Sequence, residues 1–559
     1  MRNYIAQYYY FTRRSLIVYF LKLPLLASLV YRFFRLQITS YEKFKALSLH
    51  NKLCIYFTLP SRGYILTSDR ETIAHNKLKY SLILRDCKNL SRIIQEINNI
   101  IAPDQINVYR KRIAIDQSGI LHVIELINKI DPSYIRVLRV NPNLNNVLVN
   151  KEHIRYYPFT SLFFHLVGYV RVLKYASQIR GMQIEGRSGI EKIFNNQLSG
   201  ISGVERIEVN AHNKFIKRLQ TIKSRSGKNI IMSVNLKIQK IVAHVMKNKV
   251  GAVMIYDLHK LSIAALYSAP SIDANIFTKK LSQSDWSKIS QIENQPFINR
   301  AIATLYNPGS TFKIVIYLAT LIYNIDPAEK IFCPGCFKFS DHIYHCHKKT
   351  GHGLLSLDDA LSKSCNIYFY KKSLQLGVDK IGVIADRLGF GLKTGLELSG
   401  ELSGLIPNQK WKKEQFAQHW YKGDTINTSI GQGYVQVTVI QLLRAISQIA
   451  LNKKLNMTIL SNKEHILNGN LFPENHVARL HKALRNSIKT HFSQKLQIFG
   501  KTGTSQVIAQ SNNNKKYIYQ DHSIFIGFTT KYSIVVLIEN GGWGFKTALP
   551  LSKIILNKL

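Results

Sequence analysis

The chain has 559 residues, of which 46% are hydrophobic and 11% aromatic, so it is long enough for about two to four folded domains and too apolar for a disordered chain. Lysine and arginine number 76 against 33 acidic residues, which gives a formal net charge of +43. This charge favours anionic surroundings such as nucleic acid, acidic lipids or acidic wall polymers. The basic residues are scattered, and no zinc-finger spacing, helix-turn-helix signal or RNA-binding motif occurs, so we exclude nucleic acid as a partner.

The N-terminus predicts a membrane anchor. Residues 16–31 form an apolar run interrupted only by Lys22 and Pro24, and flanking aromatic residues extend it to Leu36. The run approaches the roughly 20 residues that cross a bilayer, and no A-x-A cleavage site follows it. We therefore expect an uncleaved signal anchor within residues 1–40. A buried core helix is the alternative, because Lys22 would lie near the middle of the membrane.

In the rest of the chain, the sequence pattern changes near residue 229. Residues 41–228 combine short alternating apolar segments with turns and include a helical stretch at 90–101. They contain no convincing pairing of a nucleophile with a base, so we expect a spacing or interaction domain. Residues 229–559 read as a second domain of strands and helices. The predicted elements there are a strand at 230–234, a helix at 236–247, strands at 251–256, 523–529 and 533–539, and a final helix from about Lys546. The tight connection between the last two strands predicts an antiparallel sheet.

Three short motifs occur in the order expected for one reaction centre. They are Ser310-Thr311-Phe312-Lys313, Ser364-Cys365-Asn366 and Lys501-Thr502-Gly503. Each motif is common by chance in long chains, but their order and their turn, helix and strand contexts make the combination specific. The alternative is that Ser310 caps a helix and Lys501 is a solvated charge at the end of a strand.

The first motif predicts a nucleophile with its base. Ser310 follows Pro308-Gly309, which predicts a helix start at the serine, and residues three apart on a helix share a face, so Lys313 can reach the hydroxyl. Lys313 can remove the hydroxyl proton only if its pKa falls well below about 10.4. Burial and a second cation would both lower it. Lys501 is the candidate for that cation and for holding a substrate carboxylate.

The other two motifs supply groups for orientation and charge stabilisation. Ser364 can relay a proton to a leaving amine, and the Asn366 amide can orient Lys313 and the substrate backbone. The strand Lys501-Thr502-Gly503-Thr504 can lie against an extended peptide, because Gly503 permits close approach. The backbone N–H groups of Thr504 and Ser310 would then form an oxyanion hole.

These three motifs are shared by penicillin-binding proteins and serine β-lactamases, and the chain resembles a class B penicillin-binding protein. The likeness covers most of residues 30–550. Further segments that carry it are R-G-Y-I at 62–65, S-D-R at 68–70, G-R-S-G-I-E at 186–191, S-A-P-S-I-D-A-N at 268–275, G-D-T at 423–425 and I-G-Q-G at 430–433. Asn307 and Ile314 stand where the family usually has proline, and neither departure removes a catalytic group.

The resemblance implies an α+β chain of three parts. These are a membrane anchor at residues 1–40, an elongated mixed β/α pedestal or dimerisation domain at 41–228, and a β-lactamase-like transpeptidase domain at 229–559 with an antiparallel sheet flanked by helices. The implied activity is that of an elongation-type peptidoglycan D,D-transpeptidase with carboxypeptidase activity, held in the inner membrane with its catalytic domain in the periplasm. Stem peptides would be its substrates, β-lactams its covalent inhibitors, and a membrane glycan polymerase its partner.

The resemblance also implies a structural zinc site, because residues 331–353 look like an insertion that binds zinc in elongation-type members. The positions that match its ligands are Cys333, Cys346, His352 and Cys365. Three thiolates and one imidazole suit tetrahedral zinc, and Cys365 would tie the insertion to the active-site wall. The alternatives are a disulfide between Cys333 and Cys336, and ordinary surface histidines. Cys336 and His345 are the substitutes if one ligand is wrong.

Two other function classes remain open at this stage. A β-lactamase or a β-lactam sensor shares the three motifs, although neither needs the long N-terminal domain or the insertion. A non-catalytic scaffold of the elongation complex would keep the fold without turnover, against which the intact catalytic residues argue.

Overall fold

The structure is a computed structural model, and it describes residues 2–84, 90–101, 124–127, 131–141, 144, 147–173, 179–180, 184–209, 215–279, 281–461, 466–492, 497–506 and 520–559. Cys87, which stands apart from the other cysteines in the sequence, lies outside these ranges.

The chain begins with a long helix, α1 (Arg2–Phe34), which continues through a π-helical turn (Arg35–Thr39) into α2 (Tyr41–Lys52). The segment Ser15–Thr39 has a mean hydropathy of 1.6, and none of it is buried in the protein. The alternative of a buried core helix is therefore wrong. A 25-residue apolar helix that no protein covers is long and apolar enough to cross a membrane once, which agrees with the predicted single-pass anchor.

The N-terminal domain contains two sheets and short helices. Its elements are β1 (Leu53–Thr58), β2 (Ile65–Leu66), β3 (Thr72–Leu84), α3 (Leu90–Ile100), β4 (Ile124–Ile127), α4 (Pro132–Val140), β5 (Val147–Tyr156), α5 (Phe164–Val167), β6 (Val170–Val172), β7 (Ile179–Arg180), β8 (Ile184–Gly186), α6 (Gly189–Ile193), α7 (Asn195–Ser199), β9 (Gly203–Val209), β10 (Phe215–Ile222) and β11 (Ile230–Ile231). One sheet has the order β10-β9-β1-β7, the other has the order β11-β2-β3-β4 with β5 also paired to β3, and β6 pairs with β8 in a separate hairpin.

A buried ion cluster joins three distant segments of this domain. The Glu191 carboxylate accepts from Arg62 Nε at 2.7 Å and from Arg155 Nε at 2.6 Å. Both glutamate oxygens are thus paired with guanidinium groups, and Tyr157 adds a hydroxyl at 3.3 Å. Arg62 and Glu191 belong to the two segments quoted above at residues 62–65 and 186–191, and Arg155 comes from the end of β5. The cluster fixes how the start and the end of the domain pack together.

The C-terminal domain is built on a five-stranded antiparallel sheet with the order β13-β12-β22-β21-β20. Its elements are α8 (Leu236–Val245), β12 (Gly251–Asp257), β13 (Ser262–Ala269), α9 (Gln283–Ser290), α10 (Lys313–Ile322), β14 (Ile331–Cys333), β15 (Cys336–Phe339), β16 (His342–His345), β17 (Gly353–Leu355), α11 (Leu357–Ser362), α12 (Asn366–Leu376), α13 (Val378–Arg387), α14 (Gln409–Phe416), α15 (Lys422–Ser429), α16 (Val439–Leu451), β18 (Lys453–Leu455), β19 (Ile466–Asn470), α17 (Glu474–Ile488), β20 (Phe499–Ser505), β21 (His522–Phe528), β22 (Tyr532–Ile538) and α18 (Ala548–Asn557).

Helices cover both faces of this sheet. Alternate residues of β12 point in opposite directions, so Met254 faces the core that contains α10 and α16, whereas Val253 and Ile255 face the core formed with α8 and α18. The helix α10 is apolar on every side and is buried from Lys313 to Leu321. A helix of this kind belongs in the middle of a domain, and here it places the S-x-x-K motif beside the sheet.

The predicted antiparallel sheet with flanking helices is confirmed, as is the α+β class. The helix predicted at 90–101 is α3, and the strand predicted at 251–256 is β12. The strand predicted at 230–234 differs: it is only two residues long, and it pairs in parallel with β2 of the N-terminal domain. Residues 230–231 therefore belong to the sheet of the first domain, because their backbone forms hydrogen bonds with β2. Their position in sequence, just after residue 228, had suggested the second domain.

Candidate active site

Ser310 lies in a 3₁₀ turn, Gly309–Thr311, which leads into α10. The predicted helix start at the serine is therefore confirmed in this tighter form. Gly309 has φ +56°, and a Cβ at this position would overlap the carbonyl oxygen of Thr504. Glycine is required here because it permits both the left-handed backbone and the close approach of β20. The turn that carries Ser310 therefore packs directly against the strand with the K-T-G motif.

Lys313 is fully buried, and its ammonium is held by the second motif. Nζ donates to the Asn366 side-chain oxygen at 2.6 Å, to the Ser364 carbonyl at 2.7 Å and to the Ser364 hydroxyl at 3.3 Å. Burial lowers the pKa of Lys313 to about 8. The amine therefore exists partly in the neutral form at neutral pH, as a general base must.

One expected contact differs in this resting geometry. Within the described part of the chain, the hydrogen bonds of Lys313 go to Ser364 and Asn366, and none joins it to the Ser310 hydroxyl. Catalytic hydrogen bonds are often long before substrate binds, so the separation does not remove Lys313 from consideration as the base. Ser364 itself has φ +56°, a rare conformation for a serine, which aims its carbonyl and hydroxyl at the same amine.

Lys501 lies on β20, at the edge of the described sheet, and is 1% exposed. Burial lowers its pKa well below the ordinary lysine value, and the nearby charge of Lys313 lowers it further. Nζ donates to the Thr502 carbonyl at 3.2 Å. The charge of Lys313 therefore disfavours the charged form of Lys501, whereas the lowered pKa of Lys313 comes from burial, and its lowering by Lys501 stays a prediction.

Gly503 and Thr504 continue β20 past the nucleophile. A Cβ at Gly503 would lie 2.8 Å from a methyl group of Thr311 and 2.9 Å from the Pro308 carbonyl, so only glycine permits this packing. The Thr504 hydroxyl accepts the Gly544 N–H at 3.3 Å. A loop with the half-exposed side chains Trp543 and Phe545 thereby closes over the end of the strand.

A further wall of the cleft comes from residues 431–435. The Gly309 N–H donates to the Gly431 carbonyl at 3.0 Å, and Gln432 Nε2 donates to the Thr504 carbonyl at 3.2 Å. The Asn307 amide donates to Val435 at 2.6 Å and to Gly433 at 3.1 Å. These positioning contacts were missed, because the sequence marked Asn307 only as a departure and Gln432 only as part of the I-G-Q-G segment.

The four residues predicted as zinc ligands lie together. The ligand atoms of Cys333, Cys346, His352 and Cys365 are all within 4.8 Å of one another. His352 Nδ1 is 3.6 Å from Cys333 Sγ and 3.5 Å from Cys346 Sγ. Tetrahedral zinc, with bonds of about 2.3 Å to sulfur and 2.0 Å to nitrogen, separates sulfur and nitrogen ligands by about 3.5 Å. The donor set therefore fits zinc in number, chemistry and spacing.

The disulfide alternative to this cluster finds no support in the geometry. Cys333 and Cys336 are both free thiols, so the disulfide between them is absent. Cys336 and His345 face each other across the β15–β16 hairpin and are exposed, away from the four-residue cluster. The hairpin nevertheless contacts the second motif, because Asn366 Nδ2 donates to the His345 carbonyl at 3.2 Å.

Known proteins are similar to this chain over its whole length. The sequence profile of the penicillin binding protein transpeptidase domain matches residues 251–558, and that of the penicillin-binding protein dimerisation domain matches residues 57–232. The peptidoglycan D,D-transpeptidase MrdA of Acinetobacter baumannii is 30% identical over 92% of this chain and 83% of its own length. MrdA of Salmonella typhimurium is 27% identical over 100% of this chain and 97% of its own.

Solved structures agree with these relatives. PBP2 from Helicobacter pylori, in complex with MreC, has a TM-score of 0.76 and 27% identity, covering 91% of this chain and 99% of that chain. PBP2 from Pseudomonas aeruginosa, in complex with WCK 5153, shares the fold at a TM-score of 0.66. The chain therefore belongs to the penicillin-binding protein family, as a class B member that combines the dimerisation and transpeptidase domains of the peptidoglycan D,D-transpeptidases.

Proposed function

We propose that this chain cross-links peptidoglycan stem peptides through an acyl-enzyme on Ser310 during cell elongation. The observation that carries the proposal is the buried Lys313 amine, held by Ser364 and Asn366 next to the serine turn. A cation buried without a carboxylate partner is costly for stability. Its position three residues after Ser310, and close enough to Lys501 of the K-T-G strand to lower the pKa of that lysine, suits a role in proton transfer.

In the acylation step, Ser310 Oγ attacks the carbonyl carbon of the penultimate D-Ala of a donor stem peptide. Lys313 in its neutral form accepts the hydroxyl proton as the O–C bond forms. The N–H groups of Ser310 and Thr504 stabilise the oxyanion. The C–N bond then breaks, and Ser364 passes the proton to the departing D-Ala amine.

In the second step, the amine of a neighbouring stem peptide attacks the ester carbon. Lys313 takes a proton from this amine and returns it to Ser310 Oγ as the C–O bond breaks. Water in place of the amine gives the carboxypeptidase reaction with the same proton transfers. The difference between the two outcomes is which nucleophile reaches the ester.

Lys501 is the anchor for the terminal carboxylate of the donor peptide. Burial and the charge of Lys313 lower the pKa of Lys501. An arriving carboxylate favours the ammonium form again, so substrate binding and proton uptake by Lys501 are linked. β-Lactams carry a carboxylate next to a strained amide, and they therefore acylate Ser310 as mimics of the donor.

The anchor helix places this reaction at a membrane. Residues 1–40 hold the chain in the inner membrane with its catalytic domain in the periplasm, where stem peptides occur. A membrane glycan polymerase supplies the strands to be cross-linked. The structural neighbours support such partners, since one is a complex of PBP2 with MreC and another belongs to a peptidoglycan synthase complex.

A zinc ion held by the four-residue cluster would be structural. Its thiolate and imidazole ligands would fill all four positions, which leaves none for a catalytic water. Cys365 lies between Ser364 and Asn366, so the ion would brace the two residues that hold Lys313. The free thiols and the ligand spacing support this role.

The test of the proposed function uses the full chain in membranes together with its glycan polymerase and lipid-linked substrate. Formation of dimeric stem peptides that stops with Ser310→Ala and with penicillin is the expected result. The non-catalytic scaffold would form none in either protein. A β-lactamase would instead hydrolyse penicillin with turnover and leave the glycan uncross-linked.

A further inference from the structure

A groove of about 400 Å³ lies at the seam between the two domains. One wall is the β6–β8 hairpin with Tyr169, Arg171 and Arg187, and the other is the segment before and within α9 with Phe277, Lys279 and Trp286. We call it the seam groove. None of these residues takes part in the chemistry proposed above.

The floor of the seam groove is aromatic. Tyr169 and Phe277, one from each domain, stack with ring centroids 4.1 Å apart and an interplanar angle of 29°. Trp286 packs against Phe297 at 5.9 Å but leaves 43% of its surface exposed. The helix α9 that carries it has no buried residue at all. A large aromatic ring on such a helix presents an open flat surface for stacking.

The rim of the seam groove is cationic. Arg171 and Arg187 approach the same oxygen of Glu185, at 3.5 Å and 3.6 Å, and all three side chains are at least 40% exposed. Such long, solvated ion pairs are weak, so both guanidinium groups remain able to bind an added carboxylate. Lys279 adds a third exposed cation from the opposite wall. The three cations against one carboxylate favour an anionic ligand.

We propose that the seam groove is a second binding site for an uncross-linked peptidoglycan strand, with a sugar ring stacked on Trp286 and stem-peptide carboxylates paired with Arg171 and Lys279. The inference rests on the proposed function, which makes that strand the substrate. The strand is a polymer that extends beyond the catalytic cleft, so a second point of attachment raises its effective concentration at Ser310. Because both domains line the site, a bound strand also fixes the two walls relative to each other.

The experiment measures strand binding with the catalytic cleft blocked. Full-length protein in detergent is treated with penicillin and titrated into fluorescently labelled soluble glycan strands bearing pentapeptides, while the fluorescence anisotropy of the strands is recorded. The test variants are Trp286→Ala and the charge reversal Arg171→Glu with Lys279→Glu. The matched control is Lys247→Glu with Lys482→Glu, two exposed lysines that do not line the seam groove.

We expect saturable binding by the blocked protein, weakened roughly tenfold by the charge reversal, as two exposed ion pairs allow, and by about twofold or less in the control. Penicillin acylation and the thermal unfolding midpoint should not change in the groove variants. Equal weakening in test and control variants, equal binding of polygalacturonate, or capture of an acidic protein in preference to strands would overturn the proposal.

The same experiment separates the two proposals. If penicillin does not acylate the protein, the proposed function fails. Strand binding to the seam groove is then measured with Ser310→Ala, while a short donor peptide occupies the catalytic cleft in place of penicillin. If acylation occurs and the blocked protein binds no strand, the seam-groove proposal fails while the proposed function stands.

Discussion

At the scale of single residues, the lowered pKa of Lys313 makes a direct prediction for activity. Burial lowers this pKa to about 8, so the neutral amine that accepts the proton increases as pH rises through 8. Below that pH, the acylation rate should fall about tenfold per pH unit, since only the neutral fraction acts as base. Stopped-flow acylation with a chromogenic β-lactam, at pH values from about 6 to about 9, measures this sloping limb of the pH–rate profile.

Variants at this lysine sharpen the prediction. Lys313→Ala should slow acylation by roughly 10²–10⁴-fold and abolish the limb near pH 8, because the proton acceptor is gone. Lys372→Met serves as the control, since Lys372 is also buried but pairs with Glu329 at 2.6 Å and donates to the Ile325 and Asp326 carbonyls, at the opposite end of α10 from the serine. An unchanged limb in Lys313→Ala would assign the titration to another group.

Gly309 tests whether the nucleophile needs its close contact with β20. Gly309→Ala must place a Cβ against the Thr504 carbonyl at φ +56°, whereas Gly395→Ala has a similar φ of +78° with no atom within 4 Å. Both variants should lose about 1–2 kcal/mol of stability from left-handed backbone strain. Only Gly309→Ala should also lose penicillin acylation, by an expected ~100-fold for a displaced nucleophile. Equal acylation by the two variants would contradict the role given to this contact.

At the scale of elements, the four-residue cluster connects the insertion to α12. Cys365→Ser should remove bound zinc and lower the thermal unfolding midpoint, because one of four ligands is lost and the insertion is no longer tied to the active-site wall. Cys336→Ser is the matched control, since Cys336 is a free, exposed thiol on the same insertion. Atomic emission spectroscopy measures the zinc content of the purified protein, and scanning calorimetry measures its thermal unfolding midpoint.

Two results would contradict this zinc prediction. One is an unchanged metal content in Cys365→Ser, and the other is the same loss in Cys336→Ser. Because midpoint and metal content are measured without turnover, the outcome does not depend on the catalytic proposal.

Local patterns in the sequence predicted the catalytic elements well. The buried strand β12 and the antiparallel pair β21–β22 follow from continuous apolar runs, and the S-x-x-K motif follows from helix geometry. Contacts between distant segments were not predictable. Nothing local to Asn307 indicates that its amide binds Gly433 and Val435. The pairing of β11 with the first domain likewise depends on partners 165 residues apart, as Ile230 with Ile65 shows.

At the scale of the whole molecule, the Glu191 cluster should dominate the stability of the N-terminal domain. Burial alone would raise the pKa of Glu191, but Arg155 and Arg62 outweigh it and lower the pKa. A carboxylate with a depressed pKa stabilises the fold above its unfolded pKa of about 4.3, and this stabilisation is lost as pH falls below that value. Glu191→Gln should cost about 3–5 kcal/mol at neutral pH, because two guanidinium groups lose their counter-charge.

Urea unfolding at pH 7 and pH 4 measures this cost, with Glu185→Gln as the control. Glu185 is 40% exposed and its ion pairs are 3.5 Å or longer, so its removal should cost about 1 kcal/mol or less. Similar costs for the two variants would show that the buried cluster is not a special source of stability.

The central claim concerns Ser310, and intact-mass spectrometry with and without penicillin tests it most directly. We predict one penicilloyl adduct on the wild-type protein and none on Ser310→Ala, because the serine hydroxyl forms the covalent bond. An adduct retained by Ser310→Ala would place the nucleophile elsewhere, and no adduct on either protein would favour the non-catalytic scaffold.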